Sequence, residues 1–238
     1  MGRAFEFRKA RKMKRWSNMA KTFTRIGREI IIAVKDSGPD PSTNSKLRAI
    51  IQNAKAANMP KDNIDRAIKN ASEKNTEDFK EILLEGYAPY GIAILVEAAT
   101  NNNNRTVANI RSYFNKCDGS LATSGSVDFL FNHLCFFQIR DEGLDVEELE
   151  LDLIDFGVTD LSKSENEISI TAKFENFGSL QKELERRKFN ITSSEFEREA
   201  ITLKDLSEDE MIKVEKLVNM IDEDDDVQNV YHNLRSDN

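Results

Sequence analysis

Eleven cations fall within the first thirty-five residues: Arg3, Arg8, Lys9, Arg11, Lys12, Lys14, Arg15, Lys21, Arg25, Arg28 and Lys35. Only Glu6 and Glu29 oppose them. Side chains of this type at this density neutralise phosphates and release the counterions condensed on a polyanion. Extended to Met59, the stretch holds fourteen cations against four acids, a net of +10. Residues 60–238 hold twenty cations against thirty-eight acids, a net of −18. A basic arm kept on an acidic body, in a chain of pI near 5.1, is the charge pattern of a partner for nucleic acid. A merely solvated basic face is the plain alternative. The extra cluster from Arg8 to Arg15 weighs against it.

Other residues capable of chemistry are sparse. His133 and His232 are the only histidines, which argues against a histidine-based triad or a multi-histidine metal site. No glycine loop of the phosphate-cradling kinds is present. The run Asp222 to Asp226 lacks the alternating oxygen ligands and central glycine of a calcium loop, so it reads as a solvated acidic turn. The run Asn101-Asn102-Asn103-Asn104-Arg105 reads as turn and helix-capping chemistry, with an anion contact at Arg105 as the lesser alternative. Phe129, Phe131, Phe136 and Phe137 could stack bases on an open sheet, but no RNP-type motif surrounds them and core packing is the favoured reading. The expectation is a non-enzymatic protein with no cofactor, no metal and no small-molecule substrate.

The elements that must position the basic residues follow from periodicity. Met19, Phe23, Ile26, Ile30 and Ala33 mark one apolar helical face, and at about 100° per residue Lys21, Arg25, Arg28 and Lys35 fall opposite. That outer face carries no Asn or Gln, so it positions a protein on phosphates but conveys little sequence information. Ser37-Gly38-Pro39-Asp40-Pro41 forms a turn. Two further helices follow, one capped by Asn44 or Ser45 and carrying Leu47, Ile50, Ile51 and Ala54, the other opened by Pro60 and carrying Ile64, Ala67, Ile68 and Ala71. Ala88-Pro89-Tyr90-Gly91 then joins two strands as a hairpin, a helix runs from about Arg105 to Lys116, and Val127 to Ile139 alternates as a strand. Val146, Leu149, Leu153 and Phe156 open a compact α+β module. Ser207 with Glu210 is a capping box before the last helix, and Val227 to Tyr231 is a final strand. One helix and one strand cannot bury a core alone, so they are expected to rejoin the earlier sheet.

These residues also carry a family resemblance. Phe23-Thr24-Arg25-Ile26-Gly27-Arg28-Glu29-Ile30, Gly38-Pro39-Asp40-Pro41 and the long run from Ala54 to Ile68 resemble the YebC family, as do Glu85 to Gly91, Asn104-Arg105-Thr106, Gly125-Ser126-Val127 and Asp226 to Asn233. The resemblance covers essentially the whole chain. It departs at the start, where many members carry a Gly-His-Ser-Lys-Trp-like segment and this chain has Gly2-Arg3-Ala4-Phe5-Glu6. It implies an α+β, three-domain architecture with an N-terminal helical domain and two small α/β domains, the third inserted in the second. It also implies a probable DNA-binding transcriptional regulatory protein. Mitochondrial members resemble translational activators, and some bacterial members look like ribosome-associated factors.

The expected organisation is therefore a basic helical domain over residues 1–76, a discontinuous α/β domain over 77–140 with 204–238, and an inserted α/β domain over 141–203. The expected partner is nucleic acid, either DNA or ribosomal RNA, with the eleven cations named above as contacts. An acidic protein partner for the basic arm is a third possibility. The charged start and the absence of a long apolar run imply no membrane partner, and two widely spaced cysteines, Cys117 and Cys135, suit a reducing cytoplasm.

Overall fold

The computed structural model describes residues 19–73, 78–164 and 166–235. They form two compact units, divided at 76/77, 132/133 and 197/198.

The first unit begins with three helices, α1 (Met19–Ser37), α2 (Ser45–Ala56) and α3 (Lys61–Ala71). Their core joins Ile26, Ile30 and Val34 to Leu47, Ile50, Ala54 and Ile64. Asn44 fixes the α1–α2 corner. Its Oδ1 accepts the Leu47 N–H at 2.9 Å as the cap of α2, while its amide donates to the carbonyls of Ala33 at 2.7 Å and Gly38 at 2.8 Å. One buried side chain thus ties the last carbonyls of one helix to the first amides of the next.

The rest of this unit is a four-stranded sheet of order β5-β6-β4-β7. Its strands are β4 (Phe131–Arg140), β5 (Val158–Ser164), β6 (Glu167–Lys173) and β7 (Ile191–Ala200). Two helices complete it, α5 (Val146–Leu153), capped by Asp145, and α6 (Phe177–Arg186). Phe137, Ile139, Leu153, Ile168, Ile170, Leu180 and Leu184 make its core, with Ala49 of α2 packed into it. Asn53 of α2 pairs with the Ser194 backbone of β7, donating to its carbonyl and accepting its N–H at 3.1 Å.

The second unit is an antiparallel sheet of order β3-β1-β2-β8. It comprises β1 (Lys80–Ala88), β2 (Ile92–Thr100), β3 (Ser120–Leu121) and β8 (Val227–His232), with α4 (Asn103–Lys116) and α7 (Glu208–Asp222). The hairpin from β1 to β2 stays in register from Ala88↔Ile92 to Lys80↔Thr100. Its turn needs left-handed backbone at both Tyr90 and Gly91, which explains the glycine. One face of the sheet packs Ile92, Ile94 and Val96 against Ile110 and Phe114 of α4 and Val214, Leu217 and Ile221 of α7. The other packs Ala93 and Leu95 with Val127, Phe131 and Tyr231. The C-terminal helix and strand rejoin this sheet, as the sequence required: β8 pairs with β2, Leu95 opposite Tyr231.

The strand expected over Val127 to Ile139 differs in its start and in the sheet it joins. Residues 128–130 form a 3-10 turn, and β4 starts only at Phe131. β4 also hydrogen-bonds with β6, Ile139 opposite Ile168, and so belongs to the sheet of the intervening residues and not to that of residues 77–132. Alternation locates a strand but says nothing about which sheet it joins. The core of that module needs Phe137 and Ile139, and this draws the strand across.

Two backbone details generate tests. A Cβ on Gly86 would lie 2.6 Å from the Phe114 ring and 2.8 Å from the Ser120 carbonyl, whereas one on Gly178, in the first turn of α6, would meet nothing within 4 Å. Gly86→Ala is expected to cost about 1–3 kcal/mol through overpacking. Gly178→Ala should be neutral or stabilising by up to about 1 kcal/mol. Urea denaturation of both variants checks this; equal effects would contradict the packing described. The second detail is Glu85. Its Oε1 accepts the Gly125 N–H at 2.6 Å, and its Oε2 accepts those of Val127 at 2.7 Å and Asp128 at 3.0 Å. Burial pushes this carboxyl up, but the surrounding amides outweigh it and hold it below its ordinary value of 4.5. A depressed folded value stabilises fully above the ordinary value and is lost as pH falls through the folded one. Glu85→Gln should therefore cost about 1–3 kcal/mol at pH 7. The gap between variant and parent should narrow as pH drops below about 4.5, and a gap constant from pH 7 to pH 3.5 would contradict this.

Candidate nucleic-acid interface

Of the eleven candidate cations, Lys21, Arg25, Arg28 and Lys35 lie on α1. Arg3, Arg8, Lys9, Arg11, Lys12, Lys14 and Arg15 lie outside the described residues. The apolar stripe of α1 is buried from Ile26 to Val34 as expected, while its first member, Met19, is 55% exposed. Lys35 is exposed, and Lys21 and Arg28 are half-buried with their charged faces away from the stripe.

Arg25 departs from expectation: it is 6% exposed. It sits about 120° from the centre of the stripe at 100° per residue, nearer its flank than Lys21, Arg28 and Lys35. The helix packs on both α2 and α3, and its buried arc is wider than the apolar stripe, since it takes in this position. Arg25 is therefore a component of the helical domain's interior and not a surface cation.

The remaining cations of the helical domain divide in the same way. Arg48 donates to Glu185 of α6 at 2.7 Å and to the loop carbonyls of Pro41 and Ser42, so its charge is spent in holding α2 to the sheet module. Lys55, Lys61, Arg66 and Lys69 are exposed, interspersed with the acids Asp62 and Asp65. On α1 the cations Lys21, Arg28 and Lys35 are accompanied by half-buried Glu29 and exposed Asp36, whereas α3 alternates its cations with Asp62 and Asp65.

The acidic turn is also different from its sequence reading. Asp224 and Asp226 are buried. The Asp226 carboxylate accepts from Thr106 Oγ1 at 2.7 Å and from the Arg105 guanidinium at 2.8 Å. Asp224 accepts from the Tyr113 hydroxyl at 2.9 Å and the Asn109 amide at 3.3 Å. The turn reaches beneath α4 and holds it, with a negative charge at its positive N-terminal end. Burial and the Asp224 carboxylate together push the Tyr113 hydroxyl above its ordinary value. Asn102 caps the helix, accepting the Arg105 N–H at 3.1 Å. The asparagine run thus does the capping expected of it, but Arg105 is tied to Asp226.

Most of the aromatic candidates for other chemistry are taken up by packing, with Phe129 the exception. Phe137 is buried and stacks on Phe177 at 5.1 Å, Phe131 is buried, and Phe129 is 67% exposed at the turn. His133 stacks on Phe174 at 3.8 Å. Burial pushes the Cys135 thiol up to about 12, so it stays protonated and is a poor nucleophile. Among the described residues no group of three or more His, Cys, Asp or Glu is placed to hold a metal ion, and no helix is long and apolar enough to cross a membrane.

A set of polar residues on α4 is a weaker signal in the sequence than the basic arm and is not among the expected contacts. Residues 98–117 contain no acid, three cations and six asparagines. They lie within a region in which about one residue in five is acidic. The outer side of α4 shows Asn104, Ala108, Arg111 and Asn115 exposed.

The comparisons with known proteins agree with this architecture. Residues 3–74 match the model of the TACO1/YebC protein N-terminal domain, and residues 79–234 that of the TACO1/YebC second and third domain. A probable transcriptional regulatory protein of Flavobacterium johnsoniae is 64% identical over 237 residues, covering 100% of both chains. One of Parabacteroides distasonis is 54% identical over 238 residues, covering 100% of this chain and 98% of its own. The crystal structure of a conserved hypothetical protein from Aquifex aeolicus superposes with a TM-score of 0.74 at 37% identity, covering 91% of this chain and 90% of that one. With both models matched in order and relatives aligned end to end, this chain belongs to the TACO1/YebC family.

Proposed function

We propose that this protein is a DNA-binding regulator of gene expression, and that its basic N-terminal region is the electrostatic contact. The observation that carries the reading is the charge division, +10 over residues 1–59 against −18 over the remainder. Such a division orients a chain toward a polyanion: the acidic body is repelled and the basic region attracted, so encounter is steered as well as strengthened. Lys21, Arg28 and Lys35 are on the side of α1 away from its packed stripe, where phosphates could reach them. The names of the relatives, probable transcriptional regulatory proteins, point the same way. Regulation here would come from occupancy of nucleic acid, with no catalytic step.

Salt dependence tests the contact. With about six phosphate contacts, the logarithm of duplex-DNA affinity falls against the logarithm of salt concentration with a slope near −5. Lys21→Ala, Arg28→Ala and Lys35→Ala combined should flatten it by about two to three, with the thermal midpoint retained. An unchanged slope would remove α1 from the interface. Structured RNA competing well below the concentration at which duplex DNA competes would favour a ribosome-associated role over the transcriptional one.

A further inference from the structure

The acid-free stretch on α4 is the feature of the second unit that nothing above explains. Capping needs one asparagine, and Asn102 supplies it; Asn103, Asn104 and Asn115 remain exposed. The buried side of α4 consists of Thr106, Ile110 and Phe114. The opposite side presents Asn104, Ala108, Arg111 and Asn115 in one stripe, as spacings of four, three and four residues require. Arg111, Ser112, Asn115 and Lys116 border a shallow depression floored by Ala108. The Arg111 side chain is exposed. From below, Asp226 and Asp224 hold Arg105, Thr106, Asn109 and Tyr113, so the stripe is carried on a helix fixed near both ends.

Resting on the nucleic-acid reading above, we infer that the outer face of α4 reads base edges in the major groove of duplex DNA. Arg111 and Asn115 would be the base-contacting side chains, and Lys116 would lie toward the phosphates. Three arguments converge. Arg and Asn are the side chains that make paired hydrogen bonds to guanine and adenine edges, and the outer face of α1 offers Arg28 but no Asn or Gln beside it. The stripe is cationic with no acid for twenty residues, complementary to a phosphate-lined groove. A helix with side chains is about 10–12 Å across and enters the roughly 12 Å wide major groove of B-form DNA, whereas the major groove of A-form RNA is too narrow to admit it. Small Ala108 at the centre of the stripe allows the helix to approach the bases closely.

The test uses the full chain and a duplex library with a randomised core. The parent protein is expected to enrich a preferred sequence. Arg111→Lys keeps the charge but loses the planar fork; it should bind random duplex within about twofold of the parent and lose about tenfold or more of the preference. Asn115→Ala should relax the preference at one base position, and both variants should keep the parental melting temperature because the positions are exposed. If the parent binds duplex but enriches nothing, or the variants leave the enriched sequence and affinity unchanged, α4 does not read bases and only this inference falls. Weakened binding of structured RNA with unchanged duplex binding overturns it in favour of an RNA partner. A parent that binds no nucleic acid removes the underlying reading as well.

Discussion

A carboxylate leaves water at an acceptable cost only when donors surround it, and the fold of this acidic chain depends on meeting that condition. Glu85, Glu183, Asp224 and Asp226 are buried, and each is turned inward onto amides, hydroxyls or guanidinium groups. Glu85 gathers the amides of Gly125, Val127 and Asp128 and so folds the loop before β4. Glu183, held down to about 2 by Arg186 and Arg187, binds the last turn of α6 to the loop beyond it. Asp224 and Asp226 secure α4 to the α7–β8 turn.

Much of this fold was legible in the sequence, for identifiable reasons. The Asn44 cap, the Ser207–Glu210 box, in which Glu210 accepts the Ser207 N–H at 3.0 Å, and the Pro89–Gly91 turn are local chemistry, and local chemistry is written in consecutive residues. The return of the last helix and strand to the first sheet was legible because those elements cannot bury a core alone. The sheet to which β4 belongs, and with it the division near 132 and 197, was not. That depends on which core claims Phe137 and Ile139, a matter decided by Ile170 and Ile168, 33 and 29 positions away.

The candidate site was less legible than the fold. Arg25 carries the same charge as Arg28, and only the angular width of the helix packing separates an interior arginine from a surface one. Asp222 to Asp226 looked like a solvated run because its partners, Arg105, Thr106 and Tyr113, lie more than one hundred residues away. The α4 face is different: its signal, twenty acid-free residues rich in asparagine, was present in the sequence and was outweighed by the stronger signal at the N-terminus. On the functional reading proposed here the two regions are complementary, dense charge without Asn or Gln on α1, and Arg with Asn at modest charge on α4.

The central claim is that this chain works by occupying nucleic acid. Ultraviolet cross-linking of the intact protein in living cells, followed by identification of both the recovered nucleic acid and the cross-linked peptides, tests it most directly. The account predicts recovery of chromosomal DNA, with cross-links confined to the basic N-terminal region and to residues 103–116. Recovery of no nucleic acid above background, or cross-links mapping to the acidic surfaces of α5 and α7, would contradict it.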